Sequence, residues 1–244
     1  MENWKKTLIV VGGTAAAAGV IYFLLRDEPE GTVAAASETD KRKSPTQYSK
    51  DEVKQILDDI NASQEQMKVQ MKAVTTEIMK KDMSFEETYK KIREVQPDDV
   101  LERHGLQMNE FDQLLVMYQS DPQIREGIRA IMGGNEAAPA AGKAKDVSVQ
   151  TIVEAHRHML EVLESVIEHA NKSPEKGSYE VKGIALTAQA IIAARVEQKY
   201  GLTNEDMETA IMKYQRDLAT DQDFAAINMK MQQLMGQLMG HDFR

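Results

Sequence analysis

From Thr7 to Leu25 the chain runs through 19 residues without a charge, TLIVVGGTAAAAGVIYFLL. A helix of that length rises about 28 Å, close to the thickness of a hydrocarbon core. Lipid offers the backbone no hydrogen-bond partners, so such a segment either spans as a helix or is buried in protein. Its flanks match a span: Trp4, Lys5 and Lys6 precede it, Tyr22 and Phe23 lie near the far end, and Arg26, Asp27, Glu28 and Glu30 follow. We read residues 7–25 as a permanent single-pass signal-anchor in a lipid bilayer, behind a short tail at 1–6. Three readings compete. A cleaved secretory signal has an A-x-A site at Ala34 and Ala36, but that site lies beyond RDEPE and the run exceeds a usual signal core. A mitochondrial presequence is Arg-rich and amphipathic, and a buried soluble helix needs no charged clamps at its ends.

Small residues recur four apart within this segment: Gly12 with Ala16, Gly13 with Ala17, and Ala15 with Gly19. That spacing suits close packing on another membrane helix, or else simply keeps the anchor mildly hydrophobic. Lys5 and Lys6 are expected to stay on the cytosolic or matrix side while the acidic flank crosses. The body would then lie in a lumen or an intermembrane space. The order of short N-terminus, mild anchor and acidic helical body is similar to that of mitochondrial import receptors and of accessory subunits of respiratory complexes. The mitochondrial inner membrane is therefore favoured, with the mitochondrial outer membrane and the endoplasmic reticulum as alternatives. Of the net charge of -9, Glu2, Lys5 and Lys6 account for +1 in the first 25 residues, leaving -10 beyond them. An acidic body argues against nucleic acid as a partner.

Residues 26–48 mix Pro, Gly, Ala, Ser and both charge signs without an apolar period, the pattern of a flexible linker. Lys41, Arg42 and Lys43 ahead of Ser44-Pro45 read as a solvated charge run, with a sorting patch or phosphosite as the sharper alternative. A second Ala/Gly/Pro linker, GGNEAAPAAGKAK at 133–145, divides what remains into helical domains at 49–132 and 146–240. Sliding the chain by 96 residues sets ERHGLQMNEFDQLLVMYQ over QKYGLTNEDMETAIMKYQ. Gly105, Leu106, Tyr118 and Gln119 then match Gly201, Leu202, Tyr214 and Gln215 identically, and Val116 falls on Met212. The two domains read as copies of one unit.

The fold class expected is all-α: an N-terminal transmembrane helix, a linker, then two duplicated multi-helix domains. Aromatics are only 5% while Met is 15, so sheet formers are scarce and helix formers plentiful. Val53, Ile56, Leu57, Ile60, Met67, Met71, Val74 and Ile78 keep the spacing of one buried helix face. Ser49 with Glu52, Ser84 with Glu87 and Thr203 with Asp206 are capping boxes. Pro97 is expected to end one helix and start a short one that Gly105 closes, and Asp121-Pro122 to open another. Asn171 to Ser178, NKSPEKGS, reads as a loop.

Zero cysteines excludes disulfides, thiolate zinc sites and a cysteine nucleophile. No phosphate loop, HExxH, GxSxG or EF-hand sequence occurs. Along EAHRHMLEVLESVIEH, Glu154, His158, Glu161 and Glu168 share a broad face, but without the Glu-x-x-His spacing of a di-iron site they read as solvated. His156 aligns with Ile60 on the apolar stripe, as a buried histidine or a pH switch. We expect no enzyme activity, no cofactor and no metal, with a metal-using helical enzyme as the third-ranked reading.

The segment SDPQIREGIRAIMGG, Ser120 to Gly134, is similar to the short Asp-Pro-led, Met-containing helices of STI1-type modules in Hsp70/Hsp90 co-chaperones. That resemblance implies, as second reading, a membrane-tethered co-chaperone. The leading expectation is a non-enzymatic adaptor, accessory subunit or receptor at a mitochondrial membrane. Its partners would be proteins: membrane-complex subunits or a basic amphipathic helix suited to the acidic body. The expected protein-binding face is on the final helix, where Phe224, Ile227, Met231, Leu234, Met235 and Leu238 recur at three and four and unbranched thioethers can repack around a ligand. The competing reading is that the same face packs on the other helices of its own domain.

Overall fold

The computed structural model describes residues 43–131 and 145–240, and every regular element among them is a helix, with no strand. The anchor, with Gly12, Gly13, Ala16, Ala17 and Gly19, lies outside the described residues, as do most of the first linker and nearly all of the second. Among the described residues no helix is long and apolar enough to cross a membrane. A 3-10 turn at Pro45–Gln47 leads into α1 (Lys50–Lys81), α2 (Phe85–Val95), α3 (Val100–Arg103), α4 (Met108–Tyr118) and α5 (Pro122–Ile131). Then come α6 (Val149–Lys172), α7 (Val181–Tyr200), α8 (Asn204–Lys213), α9 (Gln215–Thr220) and α10 (Gln222–Gly240).

The helix starts follow local chemistry. Ser49 and Glu52 exchange backbone and side-chain hydrogen bonds at the head of α1, and Ser84 with Glu87 does the same before α2. Pro97 pushes the preceding residue away from the helical region, so α2 ends at Val95. Asp99, not Pro97, opens α3, its carboxylate accepting from the N–H groups of Leu101 and Glu102. Gly105 and Gly201 both hold left-handed backbone, φ +68° and +67°, at the ends of α3 and α7. In α7 Ala193 stands where the 96-residue offset puts Pro97, and that helix runs unbroken.

The chain divides into two compact units, and the division departs from the one expected at 133–145. The first unit takes 43–68 and 96–131 of the described residues; the second takes 69–95 together with 145–240. In the first, Val53, Ile56, Leu57 and Ile60 of α1 meet Leu101, Phe111, Leu114 and Ile124 in one core. Tyr48 belongs to that core too, so the last residues of the expected linker are structured: its hydroxyl donates to the His104 carbonyl at 2.8 Å, and the Tyr118 hydroxyl donates to its carbonyl. Lys43 pairs with Glu52 and, by that hydrogen bond, brings its carboxyl down to about 2.

The second unit is arranged around α7. Its residues 183–188 are all buried, an apolar surface on every side that has to be covered on every side. Helices α6, α10 and α2 pack on it. This is the reason for the departure: α6 and α10 cover part of α7, and α2 supplies Phe85, Thr88 and Ile92, all buried. The rings of Phe85 and Tyr89 lie 5.4 and 4.7 Å from that of Tyr179, and the Glu180 N–H donates to the Tyr89 hydroxyl. Arg195 of α7 reaches Asp82 at 2.9 Å.

Two glycines give opposite expectations. A Cβ on Gly183 would lie 2.6 Å from Cε2 of the Tyr89 ring, so Gly183→Ala should destabilise the protein by about 1–3 kcal/mol despite the better helix propensity of alanine. Nothing stands within 4 Å of a Cβ on Gly236, and Gly236→Ala should stabilise by about 0.5–1 kcal/mol. Thermal melts of the two variants should move in opposite directions.

Candidate functional site

Helix α10 is positioned at its first turn by Asp221, whose carboxylate accepts the Phe224 N–H at 2.8 Å. From there the expected protein-binding face turns inward. Phe224, Ile227 and Leu238 are buried, and Met231 and Leu234 are half-buried against the same core; Met235 is half-buried as well. The six residues therefore do share one face, and that face is occupied chiefly by α6, with α7 and α9 beside it. Two ion pairs border the seam, Arg157–Asp223 at 2.9 Å and Lys230–Glu164 at 2.5 Å. Both are largely exposed, so they orient α10 more than they stabilise it.

His156 lies inside this seam. Its ring centroid is 4.7 Å from that of Phe224, in an edge-to-face arrangement, and its Nδ1 donates to the Ile152 carbonyl at 2.8 Å. Burial pushes its pKa below the usual imidazole value, with the carbonyl acting weakly the other way. The ring thus occupies the place on the apolar stripe that its alignment with Ile60 implies.

Most of the remaining ionisable residues of α6 pair off. His158 faces Glu161 at 3.3 Å, and Lys172 bonds Glu168. His169 meets Glu86 of α2 at 2.7 Å, which holds the Glu86 carboxyl below its ordinary value. An open hollow of about 530 Å³ lies here, lined by Glu86, Ser165, Glu168, His169, Lys172 and Ser173. Its acids and bases are already partnered with each other. Among the described residues no three His, Asp or Glu side chains converge as a metal-ligand set.

No protein-family model, curated protein or solved structure matches the chain. The outward apolar residues lie elsewhere than the sequence suggested: Val116 and Met117 on α4, Val69 on α1, Met212 on α8 and Met229 on α10. Val116 and Met212 are the pair that the 96-residue offset superimposes, a signal legible in the sequence but read there only as apolar matching.

Proposed function

We propose that this chain is a membrane-tethered helical adaptor without catalytic activity, an accessory or assembly subunit or a receptor-like protein at a mitochondrial membrane. The observation that carries the reading is the charge-free run Thr7–Leu25 with its basic and aromatic flanks, set ahead of an acidic helical body. A basic amphipathic helix is the partner chemistry that a body of charge -10 would attract. On α10, Phe224, Ile227 and Leu238 hold the helix down, which leaves the half-buried margin of Met231, Leu234 and Met235 as its contribution to partner contact. Duplication is supported by the left-handed glycines at 105 and 201, by α4 and α8 at matching positions, and by outward-facing Val116 and Met212.

Alkaline carbonate extraction of membranes from cells making the full chain tests the tether. The protein should stay in the pellet with its own N-terminus intact, because withdrawing an uncharged 19-residue helix from lipid is strongly unfavourable. Release of the full chain into the supernatant would remove the basis of the reading.

A further inference from the structure

His156 is 2% exposed, and its ring meets that of Phe224 on α10, which belongs to the apolar core that also holds Ile152 and Leu160 of α6, Val196 of α7 and Met207 of α8. Because a carbonyl can only accept, the bond to Ile152 fixes the proton of the neutral ring on Nδ1. A second proton would go on Nε2 and place a full charge in this surrounding. Several charged residues of the packed elements are engaged at the surface. Arg157 pairs with Asp223, Glu164 with Lys230, and Asp206 of α8 with Lys145. Lys199 of α7 reaches His158. Glu154 on α6 is exposed, and no carboxylate on α6, α7, α8 or α10 acts on the His156 proton; burial and the Ile152 carbonyl alone do.

Helix α10 has the means to move as a piece. It joins α9 through Asp221 alone, an extended residue between two helices, and its packing is chiefly on α6. At the position that corresponds to His156 by the 96-residue offset, the first unit carries Ile60, buried and incapable of titration.

We propose that His156 is an acid-sensitive latch: its protonation loosens α10 from α6 about the Asp221 hinge and uncovers the apolar face of Phe224, Ile227 and Leu238. The direction follows from proton counting. The docked helix holds His156 below its ordinary pKa of 6.5, so the undocked form binds more protons. Docking is then complete above that ordinary value and is lost as pH falls below it. At a pH one unit below the ordinary value the docking equilibrium weakens by at most about eleven-fold, the limit set by one proton taken up only in the undocked form. The latch goes beyond the adaptor reading and stands or falls separately, because it is a property of the helix seam whatever the face binds.

The test is amide hydrogen exchange on the full chain in mild detergent, at about pH 7.5 and about pH 5.5, with rates corrected for their intrinsic pH dependence. Protection of 222–238 should fall relative to that of 122–131 in the wild-type chain at the lower pH, by up to about tenfold. His156→Ile, which copies the first unit, and His156→Leu should abolish that difference. A wild-type α10 that keeps its protection relative to α5 overturns the proposal whatever the variants do. So does acid sensitivity of α10 that persists in either variant that folds.

Discussion

Residues 145–240 expressed alone should fail to melt cooperatively, although they contain α6 to α10 and read in sequence as a complete domain. Without 69–95 the fragment lacks α2, and the α7 surface that Phe85 and Ile92 cover is exposed to water. Burying those two side chains is worth about 3–6 kcal/mol. Tyr179, only 7% exposed in the intact unit, loses both of its aromatic neighbours on α2 as well. Against a total stability that is typically about 5–15 kcal/mol, the loss takes most of the margin. Circular dichroism should show partial helix and a broad melt, and a peptide covering 69–95 added in trans should sharpen it. A fragment 145–240 that melts as sharply as the full chain would show that α2 is dispensable to the unit.

The second large effect is expected on α10. Phe224→Ala removes a ring that is buried against His156 and the core of the second unit, and such a truncation costs about 3–5 kcal/mol. In a unit of this size that lowers the melting temperature by on the order of 10 °C or more. Met229→Ala, at a side chain 70% exposed, should change stability by less than about 0.5 kcal/mol. Changing Met231 and Met235 together to Glu should fall between the two, since both are half-buried and Met231 touches the core. Thermal melts of the full chain rank the three. If Phe224→Ala leaves the melting temperature unmoved, the face is not seated and a free binding surface becomes the better account.

Much of the local structure was legible because it depends on neighbours a few residues apart. Ser49 with Glu52, Ser84 with Glu87, Thr203 with Asp206 and the glycines at 105 and 201 all act within one helical turn, and each does what its spacing implied. The α1 stripe was legible as a buried face, yet its period carries no information about what covers it. Val53 to Met67 fall in the first unit while Val74 and Ile78 fall in the second. The same limit explains the candidate site. Phe224, Ile227, Met231, Leu234 and Leu238 were recognised as one face, but an amphipathic stripe looks identical whether it meets a partner or α6. The missing term was α7: its first half, buried on every side from 183 to 188, has no single stripe to read, and it is that helix which recruits α2.

A unit assembled from two separated stretches imposes an order on synthesis. As the chain leaves the ribosome, the first unit has all its parts once residue 131 is out, whereas α2 must wait for α6 to α10 to follow. At about 5–20 residues per second the wait from the end of α2 to the end of α10 is roughly 7–30 s. Throughout it Phe85, Tyr89 and Ile92 lack the α7 surface and the Tyr179 ring that α2 packs on, and a nascent helix with a bare apolar face is prone to aggregate. Slow translation beyond residue 131 should therefore lengthen the exposure and raise the demand for chaperone holding, while a faster transit through 145–240 should relieve it.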